Sequence, residues 1–110
     1  MIEEINIEKA LDFIRDYAEP LAKAKAERIY IEQFRKSKKA LLVNSVKDGT
    51  IQAKESYAYA HSEYITLLDS LKIAVEEEER LKWMMIAAQT KIEVWRSQQA
   101  NNRFIDKSHT

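Results

Sequence analysis

Glu63 to Arg103, EYITLLDSLKIAVEEEERLKWMMIAAQTKIEVWRSQQANNR, decides the fold, because nothing in it breaks a helix. At 1.5 Å per residue, roughly 40 residues make a helix about 60 Å long. A 3-4 spacing runs through it: Tyr64, Leu67, Leu71, Ala74, Glu78, Leu81, Met85, Ala88, Ile92, Trp95 and Gln99. Only Glu78 and Gln99 interrupt an otherwise apolar seam, the pattern of coiled-coil-like packing. Leu68, Val75, Trp83, Met84 and Ile86 fall outside the seam and widen the apolar surface. His61-Ser62-Glu63 reads as the helix start, with Ser62 the expected N-cap.

A helix of that length must bury its seam against other segments. The 110 residues contain one Gly and one Pro, so few chain reversals are available. Asp48-Gly49 is the clearest stop signal, since Gly is favoured just past a helix end. The charges agree with a fold-back there. Residues 1–19 carry two basic and six acidic groups (net −4), and residues 20–47 carry eight and two (net +6). Residues 48–79 carry two and eight (net −6), and residues 80–110 carry six and two (net +4), for a net charge of zero. Folding back near residue 48 lays opposite signs together. Each exposed pair contributes only ~0.2–1 kcal/mol, so the pattern sets register more than stability.

Before the stop, Ile7 to Tyr17 carries apolar residues at 7, 10, 11, 14 and 17, with Asn6 as N-cap candidate. Pro20 either starts a new helix or kinks a continuous one. From Leu21 to about Val46 the chain is rich in helix formers, with a stripe at Ala24, Ile31, Phe34, Leu41 and Leu42. Ile51 to Ala60 is a short helix or an ordered connection. The expected fold is all-α, an antiparallel helical hairpin or three-helix arrangement in one domain, residues 1–110. Its helices lie at about 6–18, 20–47 and 62–104, joined by a junction at 48–61.

Several function classes drop out. With no Cys there is no disulfide, thiolate metal site or cysteine nucleophile. The acidic start Met1-Ile2-Glu3-Glu4 is unlike a signal peptide, and the apolar run at Trp83 to Ala88 is far short of the ~20 residues of a membrane span. A cytoplasmic protein that does not enter membranes is expected. No nucleophile triad, phosphate-binding Gly loop, paired metal ligands or dinucleotide fingerprint is present. The expectation is therefore a binding protein, with no catalytic residue, cofactor, metal or small-molecule substrate.

Four stretches are candidate sites. Glu76-Glu77-Glu78-Glu79 cannot converge on one ion, since neighbours on a helix point about 100° apart. They read as a solvated, salt-bridging face, with Glu78 meeting Arg28 or Arg35 across the hairpin. Arg35-Lys36-Ser37-Lys38-Lys39, together with Arg28, is the nucleic-acid candidate, with Tyr30 and Phe34 near enough to stack on bases. Against it stands the acidic block 48–79, which would neutralise the same surface. Tyr57, Tyr59, His61 and Tyr64 cluster at a helix junction where a partner-binding pocket would sit, or simply pack the hairpin end. Trp83 and Trp95 are large anchors of the type found at interface hot spots, and Arg96 begins a polar, donor-rich helix tip. Trp95 lies on the seam and suits core packing. Trp83 lies off it and is the better interface residue.

The strings Ala26-Glu27-Arg28-Ile29-Tyr30-Ile31-Glu32-Gln33-Phe34-Arg35-Lys36-Ser37-Lys38-Lys39-Ala40, Tyr57-Ala58-Tyr59-Ala60-His61 and Glu93-Val94-Trp95-Arg96-Ser97-Gln98-Gln99-Ala100-Asn101-Asn102-Arg103 resemble a group of small bacteriophage and prophage proteins. The likeness runs from about residue 8 to residue 106. That group is often found among recombination and replication functions, so the resemblance implies a phage accessory protein in a bacterial cytoplasm. It implies no active site.

The favoured expectation is a non-enzymatic adaptor that binds itself or a protein partner in phage DNA metabolism, using Trp83, Tyr57, Tyr59, His61, Trp95 and Arg96. One alternative is direct nucleic-acid binding through Arg28, Arg35, Lys36, Lys38 and Lys39. Another is a structural component of the virion or its assembly.

Overall fold

The computed structural model describes residues 4–108, in which three helices follow in order: α1 (Ile7–Ser45), α2 (Ile51–Ala60) and α3 (Ser62–Ser108). No strand occurs among the described residues, so the all-α class stands.

The periodicity of α3 translates directly into burial. All eleven seam positions from Tyr64 to Gln99 are buried or half-buried, and the only other covered residue in the helix is Ser70. A repeat of 3.5 residues keeps one line of side chains facing a neighbouring helix. The helix runs 47 residues, somewhat past the expected end near 104.

Helix α1 departs from its expected stripe. Leu11, Tyr17, Phe34 and Leu41 are exposed, at 52%, 39%, 39% and 62%. The covered line keeps Ile7, Ala10, Ile14, Ala24, Ile31 and Leu42 of that stripe and adds Leu21, Arg28, Arg35 and Lys38, with a 3-4 spacing from Leu21 to Leu42. Three seam positions thus belong to cations. Long Arg and Lys side chains bury their aliphatic stems while the charged heads reach partners or water.

Pro20 lies inside α1, which continues through it, so the separate helices expected at 6–18 and 20–47 are one. Proline cannot donate to the carbonyl of residue 16, which normally costs a helix about 3 kcal/mol. Asp16 and Pro20 are both exposed, so water can satisfy the freed carbonyl.

The helix ends follow local capping chemistry. Asn6 caps α1 as expected, its Oδ1 accepting from the Lys9 amide at 3.0 Å. Thr50 caps α2 through Oγ1, accepting from the Ala53 amide at 3.0 Å. At α3 the expected cap, Ser62, is already helical. Its predecessor His61 has extended backbone angles, and its Nδ1 accepts from the Glu63 amide at 3.0 Å. An imidazole one residue earlier does the work of the Ser hydroxyl.

Between α1 and α2, Gly49 has φ +120°. A Cβ there would meet nothing closer than the Ala53 Cβ at 3.9 Å, so space is no obstacle and the backbone angle is. Gly49→Ala is expected to lower stability by about 1–2 kcal/mol, read as a lower urea midpoint with an unchanged m-value. A midpoint equal to the parent's would show that the turn relaxes freely.

The chain forms two compact units, residues 1–21 with 80–110, and residues 22–79. In the unit of residues 22–79, α1 and α3 run antiparallel with α2 packed at the turn. Leu42, Ala58 and Tyr64 form its core, with Val43 against them. Ala58 is fully buried. In the other unit Ala10, Leu81, Met85 and Ala88 are buried, and the Phe13 and Tyr17 rings stack at 4.4 Å. Ala10 and Ala88 are short, and beside them lies an open groove of about 500 Å³ that Phe13, Met84 and Lys91 also line.

Candidate functional site

The candidate residues fall in different units. Tyr57, Tyr59 and His61 belong to residues 22–79, whereas Trp83, Trp95 and Arg96 belong to the unit that includes residues 80–110. Each group is therefore a separate surface.

On α3, Trp95 is half-buried on the seam, Arg96 is exposed, and Trp83 is 62% exposed. At about 100° per residue, Ile86, Ala87, Thr90 and Val94 all lie within about 60° of Trp83 around the helix axis. All are exposed. The result is a second, outward-facing stripe opposite the buried seam. Sequence reading singled out Trp83 and Ile86 as surplus but missed their alignment with Val94, which the spacing 83, 87, 90, 94 already carries.

The basic segment of α1 is largely tied into its own hairpin. Arg28 donates through Nε and Nη2 to the two carboxylate oxygens of Glu78, and through Nη1 to Glu32 at 3.1 Å. The hydrogen bond to Glu78, more than that to Glu32, raises the guanidinium pKa further above its already high ordinary value. Lys38 Nζ lies 2.8 Å from Glu63 Oε2, and its hydrogen bond and charge hold the Glu63 carboxyl below the usual range. Lys39 lies 3.9 Å from Glu55 and 4.6 Å from the Tyr59 ring centroid. Hydrogen bonding with Tyr59 is the main cause that raises its pKa above the ordinary lysine value. Arg28, Lys38 and Lys39 thus answer acidic side chains of the same unit, as the charge blocks lead one to expect. Among the described residues, Arg35 and Lys36 make no ion pair or hydrogen bond.

The tyrosine cluster is ordered by ring contacts. Tyr57 meets His61 edge-on at 5.6 Å, and Tyr59 meets Tyr64 edge-on at 5.4 Å. Tyr57 and Tyr59 remain 46% and 47% exposed. Tyr59 and the buried Tyr64, with Arg35, Lys36 and Lys39, line a small pocket of about 250 Å³. Tyr64, expected both on the seam and as the third tyrosine of the junction cluster, lines this pocket. Tyr30 and Phe34 stack on each other at 6.0 Å but do not line it.

Among the described residues, no group of three or more His, Asp or Glu is arranged to hold a metal ion, and no helix is long and apolar enough to cross a membrane. In the Glu76–Glu79 run only Glu78 is half-buried, on the seam. The chain matches no protein-family model, no curated protein and no solved structure.

Proposed function

We propose that this protein is a non-enzymatic helical adaptor that self-associates through the outer stripe of α3. The observation that carries the reading is the alignment of exposed Trp83, Ile86, Ala87, Thr90 and Val94 on the face opposite the buried seam. Nine hydrophobic residues are buried among those described, and four of them are alanines, so the core is thin while large side chains face outward. Aligned apolar residues of this kind mark association surfaces.

A second copy suits the stripe by symmetry. The spacing 83, 87, 90, 94 reads the same in both directions, so an antiparallel copy sets Trp83 over the partner copy's Val94 and Ala87 over its Thr90. Trp83 thus meets the smaller Val94 in the outer layers and small meets small in the inner ones, each pair occurring twice, as a two-fold interface requires. Lys82 and Glu93 flank the stripe on one side, and the same pairing brings each near its opposite charge. The resemblance to phage and prophage proteins supports a place in phage DNA recombination or replication within a bacterial cytoplasm.

Light scattering after size exclusion tests this. A dimer is expected at micromolar concentration, and Val94→Glu, which sets a carboxylate opposite the indole, should weaken it at least tenfold. Trp83→Ala should do the same. A parent chain that stays monomeric, or a dimer indifferent to both substitutions, would sink the proposal.

A further inference from the structure

We infer that the pocket lined by Arg35, Lys36, Lys39, Tyr59 and Tyr64 binds a single phosphate group. It lies in the unit of residues 22–79 and is independent of the α3 stripe.

The first observation is an imbalance of partners. Arg28 and Lys38 occupy seam positions on α1, as Arg35 does, and each meets a carboxylate. Arg35 is half-buried at the same kind of position and meets none. Partial burial costs a guanidinium hydration, and elsewhere on this helix an anion compensates. Among the described residues, no such anion meets Arg35. Guanidinium is also the group whose fork matches phosphate oxygens two at a time.

The second observation is the donor set around it. Lys36 is exposed and unpaired, and Lys39 borders the same space, where its one acidic neighbour, Glu55, stands at the long distance of 3.9 Å. Tyr59 and Tyr64 contribute phenolic hydroxyls, which donate to oxyanions. Tyr64 is only 6% exposed, yet it lines the pocket. Three cationic residues and two tyrosines therefore line one space, and no acidic residue does.

Size narrows the ligand. Pockets for drug-sized molecules run from about 300 to 1,000 Å³. About 250 Å³ is below that range and holds a phosphate with its first waters. A track along a nucleic-acid backbone would need several unpaired cations in a row, and Arg28 and Lys38 are engaged with Glu78 and Glu63. The geometry favours one phosphate over a polymer.

Titration calorimetry of the full chain with inorganic phosphate, at constant ionic strength set with chloride, tests the inference. Saturable one-site binding in the millimolar range or tighter is expected, weakened at least tenfold by Arg35→Gln. Lys36→Gln should weaken it several-fold, and because Lys36 is exposed that variant stays informative if Arg35→Gln disturbs the fold. Two short single-stranded oligonucleotides, one with a 5′-phosphate and one with a 5′-hydroxyl, separate the sources. Preference for the phosphorylated end identifies a terminal phosphate of nucleic acid as ligand. Equal, weak binding of both beside clear phosphate binding identifies a small phosphate. Absence of saturable phosphate binding, indifference to both substitutions, or tight and equal oligonucleotide binding with a steep salt slope would each overturn the single-phosphate site.

Discussion

Tyr64→Ala is expected to lower the unfolding free energy by about 3–5 kcal/mol, the usual range for removing a buried aromatic side chain. The ring is 6% exposed and packs with Leu42 and Ala58 where α1, α2 and α3 meet. Its loss leaves a void that the neighbours cannot fill. Ala58 is a single methyl, and Tyr59 touches the ring only edge-on, at 5.4 Å. Small domains have about 5–15 kcal/mol in total, so the variant should lie close to the folding threshold. Tyr64→Phe keeps the ring and removes a hydroxyl for which no hydrogen bond within the protein is seen, so it should cost less than about 1 kcal/mol. Ile51→Ala, at a site 77% exposed, is the control and should stay within about 0.5 kcal/mol of the parent. Urea denaturation followed by circular dichroism ranks the three. If Tyr64→Ala falls no further than Ile51→Ala, the Leu42–Ala58–Tyr64 cluster is not the core of its unit.

How much of this was legible in the sequence differs between the two long helices, for a physical reason. In α3 all seam residues but Glu78 and Gln99 are apolar and the spacing is even, so periodicity and burial coincide from Tyr64 to Gln99. In α1 the largest apolar residues are poor guides. Leu11, Phe34 and Leu41 point outward, while Arg28, Arg35 and Lys38 take seam positions because their stems pack and two of their heads find carboxylates. A hydropathy pattern gives no credit to an arginine stem. The charge blocks carried that information instead: the +6 and −6 segments anticipate Lys38–Glu63 and Lys39–Glu55 as well as Arg28–Glu78. The phosphate pocket lay beyond either signal. Arg35 and Lys39 are one turn apart on α1, but Tyr59 and Tyr64 stand on opposite sides of the His61 break, and only the folded junction brings them to the same space. The outer stripe was within reach, since its spacing is as regular as that of the seam.

The Arg28–Glu78 pair yields the second large effect, and its sign pattern separates stability from register. The pair interrupts the seam at Glu78, whose side chain is 12% exposed against 24% for Arg28. Removing one member of a covered ion pair leaves the other desolvated with less compensation, so Arg28→Ala and Glu78→Ala should each lower the urea midpoint clearly. Glu78→Ala should be the milder, because Arg28 keeps Glu32 at 3.1 Å on its own helix. Replacing both by Leu is a different experiment. It exchanges two desolvated charges for apolar contact, and such exchanges are commonly neutral or stabilising. The double variant is therefore expected to match or exceed the parent in midpoint while both single variants fall below it. What it should lose is the one position at which α1 and α3 can be aligned only one way, because a polar pair inside an apolar seam penalises every shifted register. With leucine at 28 and 78 the seam of α3 runs apolar from Tyr64 to Trp95. Light scattering should then show species larger than those of the parent. A double variant less stable than either single one would mean that the ion pair stabilises outright, and that register is held by the charge blocks alone.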